Sequence, residues 1–390
     1  MSWNQQLVKL NNKSLVLKMI KDEGPLSRAE ISQRLGLTKG TVSSLVNELL
    51  NESFCYETGP GESSGGRRPV MLLFNKSSGY SIGIDLGVNY ILGVLSDLNG
   101  KIVAEKKIRL YDTTFDETVI ILKNVINDLL SDAPNSKYGV VGIGIGVPGI
   151  VNKQSEILLA PNLGWKHVHL KEEIEKEFQL PVIIDNEANA GAYGEKVLGA
   201  GQNYEDIIYI SAGIGIGVGF ILNNELYRGK NGFSGELGHM IIEVNGKTCS
   251  CGSSGCWELY ASERALLTEA KRLPFLPLKE KELTLESLIE VANTNEEIAH
   301  YFKQVGHYLG IGINNIINTF NPEQIIIGNR LAMAKKWIEE PVKQVVERYT
   351  LKQHQTDLTI TFAELSVYST ALGVSAYATE NFLLSDLLQQ

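Results

Sequence analysis

Cysteine is scarce in this chain, and an overall basic excess is absent. Its 390 residues include four cysteines, and 45 Asp and Glu outnumber 36 Lys and Arg for a net charge of −9. Taken alone, that balance argues against a nucleic-acid binder. No stretch reaches the ~20 apolar residues a membrane span requires. The longest candidate, Val140 to Val151, is broken by glycines and Pro148. The N-terminus carries no signal-peptide pattern, so the expected location is cytoplasmic, with no membrane partner.

An apolar fraction of 43% and 38 glycines fit an α/β protein rich in tight turns. With domains usually of about 100–150 residues, the length implies two or three. Charge is unevenly spread: residues 1–75 hold nine Lys and Arg against seven Asp and Glu, the remainder 27 against 38. A slightly basic head on an acidic body is what a small DNA-binding domain joined to a large sensor would show.

The head reads as three helices. Leu15, Val16, Met19 and Ile20 recur at helical spacing before Gly24-Pro25, which ends that helix. Ser27 with Glu30 three residues on forms a capping-box pattern for a second helix, which stops at Gly36. Thr38 can cap a third, in which Val42, Leu45, Val46 and Leu49 make one apolar stripe. Two short helices across a glycine turn are a helix-turn-helix, with the last one placed in the major groove. Its outward face offers Lys39, Gly40, Thr41, Ser43, Ser44 and Asn47, which can reach base edges and phosphates. A three-helix bundle with a polar surface would share this pattern. Phe54 to Thr58 and Val70 to Phe74 read as strands, separated by a glycine-rich loop with Arg67 and Arg68 at its base. Such a loop suits a wing against DNA, although a solvated linker would look similar.

From Tyr80 onward the texture is that of two similar α/β halves. Tyr80 to Gly87 and Tyr90 to Ser96 are apolar strands, followed by an Asn99-Gly100 hairpin signal, a helical segment from Phe115 to Leu130 and a strand from Val140 to Val147. A second round starts at Ile207, meets the glycine run Gly213 to Gly219 and has its own hairpin signal at Asn223-Asn224. Two such halves imply two lobes with a cleft between them. Within the second half, Cys249, Cys251 and Cys256 lie in a Cys-x-Cys-Gly-x-x-Gly-Cys loop that follows Gly238-His239 by nine residues. Three thiolates and an imidazole suit tetrahedral zinc, and glycines permit the turns of so tight a loop. Four protein ligands would fill the shell, making the ion structural. Glu236 and Glu258 bracket the loop, and carboxylates accept hydrogen bonds from vicinal hydroxyls.

These motifs resemble the ROK family of repressors, open reading frames and sugar kinases, from about Tyr80 to the C-terminus. The fused head resembles the repressor branch, and Val8 to Asn12, Gly24 to Arg28 and Gly65 to Pro69 look most like its xylose-responsive members in Gram-positive bacteria. The resemblance implies a two-lobed, ribonuclease H-like (actin/hexokinase-type) sugar-kinase body behind a winged helix-turn-helix. The expected boundaries are 1–75 for the head, 76–186 for the first lobe with a C-terminal helix 371–390 returning to it, and 187–370 for the second lobe. It assigns His239, Cys249, Cys251 and Cys256 as metal ligands. Asn162, Asn186, Glu187, Glu236, His239 and Glu258 become the sugar-binding set. Arg28 and Thr38 join the DNA-facing residues.

Against the family's kinases, the sequence departs on the nucleotide side. Asn89 stands where the first phosphate loop has Thr, Ile214 where the second has Thr, Glu187 where the catalytic Asp stands, and Ile325 to Arg330 lacks the extra glycines of the adenosine segment. The sugar and metal motifs are intact. The expectation is therefore a non-enzymatic repressor that binds no ATP, holds double-stranded operator DNA as a homodimer or dimer of dimers, and is released when xylose or a related aldose enters the cleft. The rival expectation is an ATP-dependent sugar kinase with a DNA-binding appendage. Glu187, longer than Asp by one C–C bond of about 1.5 Å, would fill the space of a hexose hydroxymethyl group and favour a pentose.

Overall fold

A computed structural model describes residues 2–60, 69–111, 113–273 and 283–388. Arg67 and Arg68 lie outside the described residues. The head comprises α1 (Ser2–Glu23), β1 (Leu26–Ser27), α2 (Arg28–Leu35), α3 (Lys39–Asn51), β2 (Cys55–Pro60) and β3 (Val70–Phe74). The Ser27 hydroxyl accepts from the Glu30 backbone N–H while the Glu30 carboxylate accepts from that of Ser27, closing the capping box that starts α2. Gly36, at φ 66°, ends it in the left-handed conformation, and Thr38 caps α3 by accepting from the Thr41 N–H. The stripe Val42, Leu45, Val46 and Leu49 is buried against Val16, Leu17 and Ile20 of α1 and Ile31 of α2. The three strands pair antiparallel in the order β1-β3-β2. The two-residue β1, registered Leu26 to Leu72, has too short a period to be read from sequence.

The first lobe contains β4 (Tyr80–Leu86), β5 (Tyr90–Asp97), β6 (Ile102–Arg109), α4 (Phe115–Ser131) and β7 (Val140–Val147). It continues with β8 (Ile150–Val151), β9 (Ile157–Ala160), β10 (Trp165–Val168), α5 (Leu170–Phe178) and β11 (Val182–Asn186). Then α6 (Glu187–Leu198) leads to β12 (Ile207–Ala212), β13 (Ile216–Leu222), β14 (Glu225–Leu226), α7 (Glu258–Ala261) and α8 (Glu263–Ala270). The chain ends with α9 (Leu285–Ala292), α10 (Glu296–Phe320), β15 (Gln324–Gly328), α11 (Lys335–Tyr349), α12 (Lys352–Gln355), β16 (Thr359–Phe362) and α13 (Ser369–Leu388).

The two main sheets repeat one plan. Their orders are β6-β5-β4-β7-β11 and β14-β13-β12-β15-β16, each an antiparallel meander joined to two parallel strands. Strands β4 and β12 are buried throughout, as central strands covered on both faces must be. The last helix, α13, crosses back to the first sheet. A Cβ at Gly83 would lie 1.9 Å from the Ala371 carbonyl oxygen and one at Gly144 2.1 Å from that of Val374, so glycine is what lets the helix backbone touch the strands. Helix α6 lies between α13 and the second sheet, where Gly191 faces the Tyr209 ring. No helix among the described residues is long and apolar enough to cross a membrane.

Candidate functional site

The loop that follows β14 folds back on itself through short bridges, Ile241 to Cys256 and Thr248 to Ser254. Gly252 and Gly255 sit at φ 91° and 74°, and a Cβ on Gly255 would fall 1.7 Å from the Glu243 carbonyl oxygen. This turn gathers His239, Cys249, Cys251 and Cys256, with one ligand atom of each within 4.8 Å of every other. Cys251 Sγ is 3.7 Å from Cys256 Sγ, and Cys249 Sγ is 3.7 Å from His239 Nδ1. The cluster can hold a metal ion.

Glu258 begins α7, directly after the cluster. Its Oε1 is 3.6 Å from Cys249 Sγ and 3.8 Å from His239 Nδ1. Its other oxygen faces Gly215, where a Cβ would come within 2.9 Å of it and 3.9 Å of Asn162 Nδ2. Asn162, on the short 3-10 turn between β9 and β10, thus faces the same glycine as Glu258, from the opposite lobe. Its Oδ1 accepts from Arg264 Nη2 at 2.7 Å. Arg264, on α8, has no spacing or motif that marks it in the sequence; only the meeting of the lobes reveals it. Glu236 stands nearby. Burial raises its carboxyl; the His239 imidazole opposes that rise and the Glu258 carboxylate adds to it.

Asn186 caps α6. Its Oδ1 accepts from the Ala188 and Asn189 N–H groups and its Nδ2 donates to the Gly149 carbonyl at 2.9 Å. One amide hydrogen is left to offer. Glu187, the first residue of α6, accepts from Ser211 Oγ at 3.3 Å. Burial first, and the neighbouring Asp85 carboxylate second, push its carboxyl up to about 8. Asp85 itself is raised to about 6 by burial, against the Tyr90 hydroxyl that donates to it at 2.6 Å.

Side chains of the chain itself pack against the glycines at Gly87 and Gly213 and around Asn329 and Arg330. The Tyr90 ring lies over Gly87, close enough that a Cβ there would be 2.3 Å from it. Asn329 Nδ2 donates to Ser211 Oγ at 2.9 Å and lies 3.0 Å from a Cβ placed on Gly213. Arg330 is buried and forms paired hydrogen bonds to Glu263 at 2.8 and 3.1 Å and to Glu286 at 3.0 and 3.1 Å.

On the head, Thr38, Lys39, Ser44 and Asn47 are exposed and Thr41 and Ser43 half-buried, all on or beside the first turns of α3. Thr38 and Thr41 share a hydroxyl contact of 2.9 Å. Arg28 donates to Asn47 Oδ1 at 3.1 Å and to Glu57 of β2 at 2.7 Å, tying α2, α3 and the wing strand together.

A winged DNA-binding head on a two-lobed body with the sugar-kinase sheet plan defines a transcriptional regulator built from a kinase scaffold. The chain belongs to the ROK family: residues 81–381 match that family, and residues 11–54 match a winged helix-turn-helix DNA-binding domain. It is 46% identical over 97% of its length to the xylose repressor of Bacillus subtilis (strain 168), covering 98% of that protein. The crystal structure of a ROK family transcriptional regulator, a homolog of the Escherichia coli MLC protein, aligns with a TM-score of 0.81 at 28% identity over 98% of both chains. A ROK family glucokinase from Streptomyces griseus, in complex with glucose and AMPPNP, aligns at 29% identity with a TM-score of 0.71, over 77% of this chain and all of that one. The chain is a DNA-binding repressor of this family and not an enzyme.

Proposed function

We propose that this repressor answers to xylose or a closely related aldose bound between its lobes. The juxtaposition that carries the reading is Glu258, set between the His239–cysteine cluster and Asn162 of the opposite lobe. A sugar there would meet acceptors on Glu258 and Glu236, the amide of Asn162, and the remaining N–H of Asn186. A raised carboxyl on Glu187 would be protonated at neutral pH and able to donate.

Zinc suits the cluster. Zn–S bonds of about 2.3 Å in a tetrahedron put sulfurs about 3.8 Å apart, close to the observed 3.7 Å. His239 would join through Nδ1, leaving Nε2 for a sugar hydroxyl. The ion supplies rigidity to the loop, and Glu258 is held against it. Its four protein ligands leave no open position.

Tyr90 packed against Gly87, Asn329 bonded to Ser211 and Arg330 paired with Glu263 support the reading that no ATP is bound. In the absence of sugar, a dimer would set two α3 helices on half-sites about 34–36 Å apart, or a multiple of that. Lys39, Thr41, Ser43, Ser44 and Asn47 would contact DNA from α3, with Arg28 and Thr38 beside them and Arg67 and Arg68 from the wing.

Gel-shift competition with a panel of aldoses, at fixed salt, tests the reading: xylose should release the duplex. If no aldose does so, the proposal fails. Calorimetric titration of xylose and glucose into wild type and Glu187→Asp tests selectivity. The shorter acid should admit glucose; an unaltered preference removes Glu187 as the discriminator.

A further inference from the structure

A sugar between the lobes can affect DNA only if something spans the distance to the head, and α13 does. Its first turn lies at the cleft. Thr370 Oγ1 donates to the carbonyl oxygen of Glu187 at 3.1 Å, and Ser369 Oγ donates to the buried Glu195 carboxylate of α6 at 2.7 Å. The same carboxylate accepts from the Ala200, Glu364 and Leu365 N–H groups, so α6 and the start of α13 are pinned together. The two helices cross without intervening side chains. A Cβ on Gly373 would lie 1.8 Å from the Ala190 carbonyl oxygen, and one on Gly194 2.3 Å from that of Ser369. Because α6 also packs on the second sheet, rotation of the lobes must act at this crossing.

Twelve residues further on, about 18 Å along the helix, Phe382 reaches the head. It packs 5.0 Å from Tyr138 and 6.0 Å from Phe54, and Phe54 stacks on Tyr138 at 5.1 Å. Leu383 is buried in the head's own core with Val42 and Leu49 of α3. The Tyr138 hydroxyl donates to the Glu52 carbonyl at 2.7 Å and Lys137 Nζ to that of Asn51 at 2.9 Å, both at the C-terminal end of α3. Between its ends the helix is held to β4 and β5 by buried hydroxyls. Ser375 is 2.7 Å from Ser81 and 2.6 Å from Ser96, and Thr379 is 2.8 Å from Ser81.

We propose that Tyr138 and Phe382 are positioning residues that couple the lobe crossing at α6 and α13 to the orientation of α3. The sugar half of this statement rests on the function proposed above; the mechanical half does not. Two measurements on the full chain separate them. In the first, amide hydrogen exchange is followed without sugar, with and without a duplex selected by the protein from a random-sequence library. Binding at the head should alter exchange in residues 369–381 and 187–198 of wild type. In Phe382→Ala and Tyr138→Phe the head should remain protected while that distant change is lost. A change confined to the head in wild type, or an undiminished distant change in both variants, overturns the proposal.

In the second, the duplex Kd is measured with and without saturating xylose. Coupled sites typically change each other's affinity about 5–150-fold, and in the variants this ratio should collapse toward one while xylose alone still binds. Variants that keep the wild-type ratio also overturn it. If xylose leaves wild-type Kd untouched, the sugar reading falls, and the exchange experiment still decides the coupling. Tyr138→Phe retains the ring packing, and Phe382→Leu serves as a milder core substitution should Phe382→Ala melt early.

Discussion

At the scale of single residues, the chain buries a charged network in the segment where it departs from the family's kinases. Arg330 is the clearest case, since Glu263, its main partner, is only 1% exposed. Removing one member of a buried pair leaves an uncompensated charge, so Arg330→Leu should cost about 3–5 kcal/mol in urea unfolding. A variant as stable as wild type would show that the paired carboxylates do not depend on the arginine. Glu187 makes a pH prediction. Its carboxyl rises from about 4.5 to about 8 on folding, so between these values the folded chain holds a proton that the unfolded chain has lost. Stability therefore declines as pH rises through that window. Glu187→Gln, which resembles the protonated acid, should gain stability relative to wild type from pH 5 to pH 9. Parallel melting curves across that range would contradict the assignment. The acid itself was legible in the sequence as a departure from the family's Asp. Its coupling to Asp85, 102 positions earlier, required the lobes to be assembled.

At the scale of elements, the cysteine loop and α3 carry the proposed function. The loop's spacing and glycines were readable because a four-ligand cluster is local to it apart from His239. Cys256→Ser should lower bound zinc from one ion per chain, read by elemental analysis, and weaken xylose binding through the loss of a fixed Glu258. A metal-free protein with wild-type sugar affinity would disconnect the two. On α3, Lys39 is exposed at the first helical position, directly after the Thr38 cap. Lys39→Ala should weaken all duplexes alike and reduce the slope of log K against log salt by about one. Loss of affinity for one sequence only would instead mark Lys39 as a base reader. Thr38→Ala removes the cap and should cost about 1 kcal/mol. The sequence announced both caps because a capping hydroxyl, on Ser27 or Thr38, reaches an N–H only three residues on, within one turn.

At the scale of the whole molecule, linkage requires that operator DNA weaken sugar binding by the factor with which sugar weakens DNA binding. Titrating xylose into the free repressor and into its duplex complex should give that same ratio; equal affinity in both would exclude release by sugar. What the sequence determined alone was the set of local devices: three helices, two of them with their caps, two rounds of sheet and the cysteine loop. Each is written in residues a few positions apart, where backbone geometry and side-chain reach act directly. Tertiary structure decided the rest. It set Asn162 beside Glu258 and Arg264, laid Tyr90 over Gly87, and carried Phe382 to the base of α3. Those contacts join residues up to hundreds of positions apart, and only the packing of α13 across the first sheet and against α6 fixes which of them meet.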